Sequence, residues 1–168
     1  MSAPKFTTPS RPLTWLITGC SSGIGLALGR EVQAGKGVLI ATSRNPSRTP
    51  DLVAEVESKG GKWVTLDVDD PDSGRLISEL EKEGHVIDVL VNNAGFSIHQ
   101  AVEHFTDDEL RRMMETLYFG PCRLMRAVLP GMRRRRFGIV VNISSGAGLE
   151  GRESMGGYAA AKAALDGG

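Results

Sequence analysis

One stretch, Thr18-Gly19-Cys20-Ser21-Ser22-Gly23-Ile24-Gly25, constrains this chain more than any other. It follows an apolar run (Leu13, Trp15, Leu16, Ile17) and precedes Ile24, Leu28 and Val32 at helical spacing. A strand, a glycine-rich turn and a helix in that order make a phosphate cradle. Gly19, Gly23 and Gly25 allow a tight turn and let backbone approach a ligand with no Cβ in the way. Free N–H groups and the positive end of the helix dipole then favour an anion. The stretch predicts a nucleotide-binding α/β protein.

The rest of the chain repeats strand and helix patterns. Gly37–Ser43, Trp63–Val68, Val86–Val91 and Ile139–Ile143 read as buried strands, giving five with the first. Helices are expected after Thr49-Pro50 and Asp70-Pro71, each a cap followed by proline at the first helical position. Thr106-Asp107-Asp108-Glu109 is a capping box that opens a long helix, bent at Gly120-Pro121. Ser144–Gly157 reads as a polar loop, and Tyr158–Leu165 has helical composition. Such alternation predicts a doubly wound parallel sheet covered on both faces. Residues 1–12 are expected to be a flexible leader, and 13–168 a dinucleotide-binding domain.

Charge and cysteine content exclude several partners. Twenty basic residues balance twenty acidic ones, so no overall field attracts nucleic acid or anionic membrane. The run Arg133–Arg136 sits where a helix C-terminus favours cations. No apolar run approaches the roughly 18 residues of a membrane span. Neither Cys20 and Cys122 nor His85, His99 and His104 have metal-ligand spacing, so no metal site is expected. With no signal-peptide pattern at the start, a cytoplasmic protein is the expectation.

Two further groups point to chemistry. Dinucleotide-binding folds usually place an acid at the end of the second strand to hold a ribose 2′-hydroxyl. Ser43 and Arg44 stand there instead, and a guanidinium suits a 2′-phosphate through paired hydrogen bonds, favouring NADP(H) over NAD(H). Tyr158 and Lys162, four residues apart, share a helix face. A phenol ordinarily titrates near 10, and a neighbouring ammonium favours its ionised form, so the pair is a candidate general acid/base. Ser145 follows the fifth strand, at the sheet edge where ligands sit.

Taken together, Thr18-Gly19-x-x-x-Gly23-x-Gly25, Asn92-Asn93-Ala94-Gly95, Ser145 and Tyr158-x-x-x-Lys162, in that order, resemble the short-chain dehydrogenase/reductase family. The resemblance implies a Rossmann fold and interconversion of a ketone or aldehyde with an alcohol. Tyr158 would exchange a proton with the substrate oxygen, Ser145 would hydrogen-bond that oxygen, and Lys162 would support Tyr158 and hold the nicotinamide ribose. Asp67 would contact adenine, Asn93 the neighbouring ribose, and Ile24 the pyrophosphate turn. A homodimer or tetramer built on the long helix and the tyrosine helix is also implied. The sequence departs from the family twice. Leu117 stands where the family commonly has an asparagine that supports a water-mediated proton path to the lysine. Family members also continue past the tyrosine helix with further strands and a segment covering the substrate. The expectation is therefore a sheet lacking its last strand or strands, with a truncated, catalytically impaired NAD(P)-binding chain as the alternative function.

Overall fold

The computed structural model of the protein describes residues 8–168. Five parallel strands form one sheet: β1 (Thr14–Ile17), β2 (Val38–Ser43), β3 (Lys62–Thr65), β4 (Val89–Asn92) and β5 (Ile139–Asn142), in the order β3-β2-β1-β4-β5. Between them run α1 (Gly23–Ala34), α2 (Pro50–Ser58), α3 (Arg75–Lys82), α4 (Asp107–Met114) and α5 (Gly120–Arg135). After β5 come a single turn, α6 (Gly146–Leu149), and α7 (Gly156–Asp166). This is the expected doubly wound parallel sheet.

Strand periodicity divides the core in two. Neighbouring side chains on a strand point to opposite faces. Leu16, Ile40 and Leu90, level with one another in the register, therefore join Ile77 and Leu80 of α3 and Leu124 and Val128 of α5. Their neighbours Ile17, Leu39, Ala41, Val89 and Val91 join Val32 of α1 and Val56 of α2 on the other face. A third, smaller cluster of Met113, Leu117 and Ala161 lies off the sheet, against Phe96 and Tyr158.

Several expected boundaries shift for physical reasons. The strand expected to run to Val68 leaves the ladder at Thr65, because its partner β2 ends at Ser43, which is paired with Thr65. Asp70 does not open a helix. Its Oδ1 accepts from the Asp72 N–H at 2.8 Å, a side-chain turn that competes with helix, and α3 starts at Arg75. Thr49 precedes α2 without capping it, its hydroxyl turned to the Pro46 carbonyl. The capping box of Thr106 and Glu109 is present in both directions. The expected bend at Gly120-Pro121 is a π turn, Glu115–Phe119, joining α4 to α5; the Gly120 N–H donates to the Glu115 carbonyl, five residues back. Gly120 is needed there, since a Cβ would lie 2.8 Å from the Val68 carbonyl.

Of the expected leader, residues 1–7 lie outside the described residues. Arg11, expected within it, instead grips Asp88 at the foot of β4 through paired hydrogen bonds of 2.7 and 3.0 Å. Asp88 also accepts from the Thr14 N–H, so its buried carboxylate fastens the start of β1 to β4. Among the described residues no helix is long and apolar enough to cross a membrane, and no group of three or more His, Cys, Asp or Glu could hold a metal ion.

Candidate active site

Chain order turns one way from β1 to β2 and the other way to β4, so a crevice opens at the carboxyl ends of β1 and β4. The glycine-rich turn after β1 and the Asn92–Gly95 turn after β4 meet there. Thr18 joins them. Its buried hydroxyl accepts from the N–H groups of Asn93 and Ala94, both at 2.9 Å. Asn93 returns the link, its amide donating to the carbonyls of Thr18 (2.8 Å) and Gly19 (3.2 Å). The donors of Asn93 are thus committed to the turn, leaving its oxygen for a ligand.

The glycines are there for two different reasons. Gly19 has φ +72° and Gly23 φ +57°, in the left-handed region that disfavours side chains. At Gly25 a Cβ would sit 2.4 Å from the Gly19 carbonyl and 2.5 Å from the Asn93 amide nitrogen. Ser22, at the N-cap of α1, makes no side-chain cap bond, so the first N–H groups of α1 keep their capacity for an anion. Cys20 is packed beneath the turn, and burial pushes its thiol up to about 11, out of the range of a reactive thiolate.

A cleft of about 390 Å³ runs over this turn, lined by Gly19, Gly23 and Ile24 and by Ser43, Arg44, Asp67 and Asn93. These expected cofactor residues converge from the ends of four strands. Gly25 lies below, supporting the turn. Arg44 is exposed and makes no ion pair among the described residues, whereas Ser43 is buried and accepts from the Trp63 indole at 3.0 Å. Asp67 accepts from the Asp69 N–H at 3.1 Å, which aims its carboxylate; Asp69 is held by the Thr116 hydroxyl at 2.6 Å.

A second cleft of about 220 Å³ holds Tyr158 and Lys162, with Ser97, Leu117, Ile143 and Ser144. Ile24, Asn93, Gly95 and Phe96 line both clefts, which makes them one trough. The Lys162 ammonium lies 5.8 Å from the Tyr158 ring centroid and donates to the Ile143 carbonyl at 2.5 Å. Burial pushes its pKa below that of an ordinary lysine, and the Asp166 carboxylate opposes the shift. Ser145 is not among the residues lining this cleft. It caps α6, its oxygen accepting from the Ala147 N–H at 3.2 Å, while Ser144 donates to Asp166 at 2.7 Å. Leu117, at the centre of the π turn, is buried against the cleft.

The family model for short chain dehydrogenases matches residues 14–167. The chain belongs to that family. Among its short-chain dehydrogenase relatives is an oxidoreductase of Passalora fulva, 39% identical over 155 residues that cover 92% of this chain and 71% of the relative. A solved short-chain dehydrogenase from Streptomyces avermitilis superposes with a TM-score of 0.89 at 38% identity, covering 95% of this chain and 59% of that one. A gluconate 5-dehydrogenase from Burkholderia cenocepacia, solved with NADP and tartrate, superposes with a TM-score of 0.84 at 29% identity, covering 91% and 61%. Across eight curated relatives the chain spans 48–71% of their length.

Sequence reasoning named Thr18 as part of a motif without giving it a task. A hydroxyl residue at the end of β1 was the available signal, but its two partners lie 75 and 76 positions away. Arg112 stacks on the Phe96 ring at 4.9 Å, a contact that spacing does not reveal.

Proposed function

We propose that this chain carries the cofactor cradle and proton-transfer residues of an NADP(H)-dependent oxidoreductase that interconverts a carbonyl and an alcohol. The observation that carries the reading is the continuity of the trough, with Tyr158 and Lys162 in one cleft and the cradle in the other, sharing four wall residues. A dinucleotide suits this cradle: no Cβ stands over Gly23, the N-cap of α1 is free, and Asp67 and Asn93 line the trough. The unpaired Arg44 guanidinium supports a 2′-phosphate over a 2′-hydroxyl. When bound, the nicotinamide supplies or accepts the hydride. Tyr158 gives or takes the proton at the substrate oxygen, and the Lys162 cation stabilises negative charge on the phenol oxygen. Ile24, Phe96 and Leu117 keep water from the reacting atoms.

Turnover of NADPH with a panel of ketones and aldehydes tests the reading. Tyr158→Phe should abolish turnover while leaving NADPH affinity within about twofold, as expected for a group that acts in the transition state. Equal turnover in both proteins would refute it. The apolar Leu117 favours a second reading, a chain that binds NAD(P) without turnover. Assembly into a dimer or tetramer through α5 and α7 belongs to the first reading, and Phe119, 46% exposed at the start of α5, is a side chain such a contact would cover. A cytoplasmic setting is part of it too, supported by two free cysteines, one of them buried.

A further inference from the structure

The Lys162 end of the trough carries an acid that the oxidoreductase reading leaves unused. Tyr158, Lys162 and Asp166 follow at intervals of four along α7 and so stack on one helix face. Asp166 Oδ2 accepts a 2.7 Å hydrogen bond from the Ser144 hydroxyl. Ser144 adjoins Ile143, whose carbonyl accepts from Lys162, and lines the same cleft as Tyr158 and Lys162. The chain leaving β5 is therefore pinned to α7 at two successive residues, one bond to Lys162 and one to Asp166. Gly148 of α6 seals the corner, where a Cβ would come within 2.9 Å of the Asp166 carboxylate and 3.0 Å of Lys162 backbone.

Lys162 is 5% exposed, and burying an ammonium without counter-charge is costly. Among the described residues the elements packed on α7 supply no other acid to it. No side chain of α6 ionises, α4 and the π turn present Met113, Leu117 and the Tyr118 phenol, and Glu115 is taken by Arg123 at 2.5 Å. We propose that Asp166, tethered by Ser144, is a positioning residue that supplies the counter-charge of the buried Lys162 ammonium and fixes the crossing of β5 over α7. The inference deepens the oxidoreductase reading and rests on it for any effect on turnover. Burial lowers the Lys162 pKa and the Asp166 carboxylate raises it.

Lysine side-chain NMR titration of the cofactor-free protein tests it, with the Lys162 signal assigned by its loss in Lys162→Arg. Asp166→Asn keeps the shape and the Ser144 bond but removes the charge. It should lower the Lys162 midpoint by about 0.5 pH or more, and Asp166→Glu should restore most of it. The alkaline limb of the turnover profile should move down with the midpoint. An unmoved midpoint in a folded Asn variant overturns the proposal. If that variant does not fold, Ser144→Ala serves: it frees the carboxylate, should lower the midpoint by a smaller amount, and overturns the proposal if it does not. A shifted midpoint in a protein without turnover supports the charge link while refuting the oxidoreductase reading.

Discussion

Thr18→Val should cost this protein about 2–4 kcal/mol of stability, through two amides rather than through packing. Valine keeps the branched shape of threonine but removes a hydroxyl that is 1% exposed and makes three hydrogen bonds. The bond to the Val91 carbonyl, 3.3 Å long, matters least, because that carbonyl keeps the Thr18 N–H at 3.0 Å. The N–H groups of Asn93 and Ala94 lose their acceptor outright. An orphaned donor costs about 1–3 kcal/mol, and partial burial places each of these in the lower half of that range. The sum is a large share of the roughly 5–15 kcal/mol that holds a domain together. Urea unfolding followed by circular dichroism would show a lower midpoint at unchanged slope. Thr18→Ser keeps the hydroxyl and should lose no more than about 1 kcal/mol. Because the same hydroxyl sets the turn bearing Asn93, NADPH affinity should fall about tenfold or more in the valine variant alone, which corresponds to about 1.4 kcal/mol. A loss below about 1 kcal/mol, or equal losses with valine and serine, would refute the reasoning.

Other expectations follow from neighbouring contacts. Gly25→Ala forces a Cβ to within 2.4 Å of the Gly19 carbonyl, so it should destabilise by about 1–3 kcal/mol and abolish the thermal shift with NADPH; a normal shift would contradict the cradle. Arg44→Asp should change the ratio of NADPH to NADH affinity by about tenfold or more toward NADH, read by fluorescence titration; an unchanged ratio removes Arg44 from the site. Arg30 first, then Lys59, hold the Glu55 carboxylate at about 2, below its ordinary 4.5. A depressed acid stabilises above its unfolded pKa, and that contribution fades as pH falls from about 4.5 through about 2. The thermal midpoint of wild type should therefore drop toward that of Glu55→Gln across this window, and parallel curves would show that the pair contributes nothing.

Much of the fold could be read from local chemistry. The glycine turn, the parallel strands and the capping box at Thr106 each carry their signal within a few residues, and each is present, though strand ends move by up to three residues. Features that depend on distant partners were not legible. β3 stops where β2 stops, which no property of Leu66–Val68 reveals. Asp70 satisfies a helix-start pattern and a side-chain turn equally well, and the turn prevails. The four residues of α6 include two glycines and give no periodic signal. In the site, Tyr158 and Lys162 were legible because one helix carries both. Ser145 depends on how the segment after β5 folds, and there its oxygen accepts the local N-cap bond from Ala147, which leaves its own O–H free to donate.

The π turn has a consequence for how one rod serves two cores. Each residue of an α-helix advances about 100° around the axis, so the one extra residue in a wide turn rotates everything after it by that amount. Met113, before the phase change, and Leu117, within it, pack with α7 beneath Tyr158; Leu124 and Val128, after it, pack against the sheet and α3. Deleting Tyr118 would restore a regular helix and turn one of these faces to solvent. The rotation that lets the helix floor the Tyr158 end of the trough is also what keeps it fastened to the sheet.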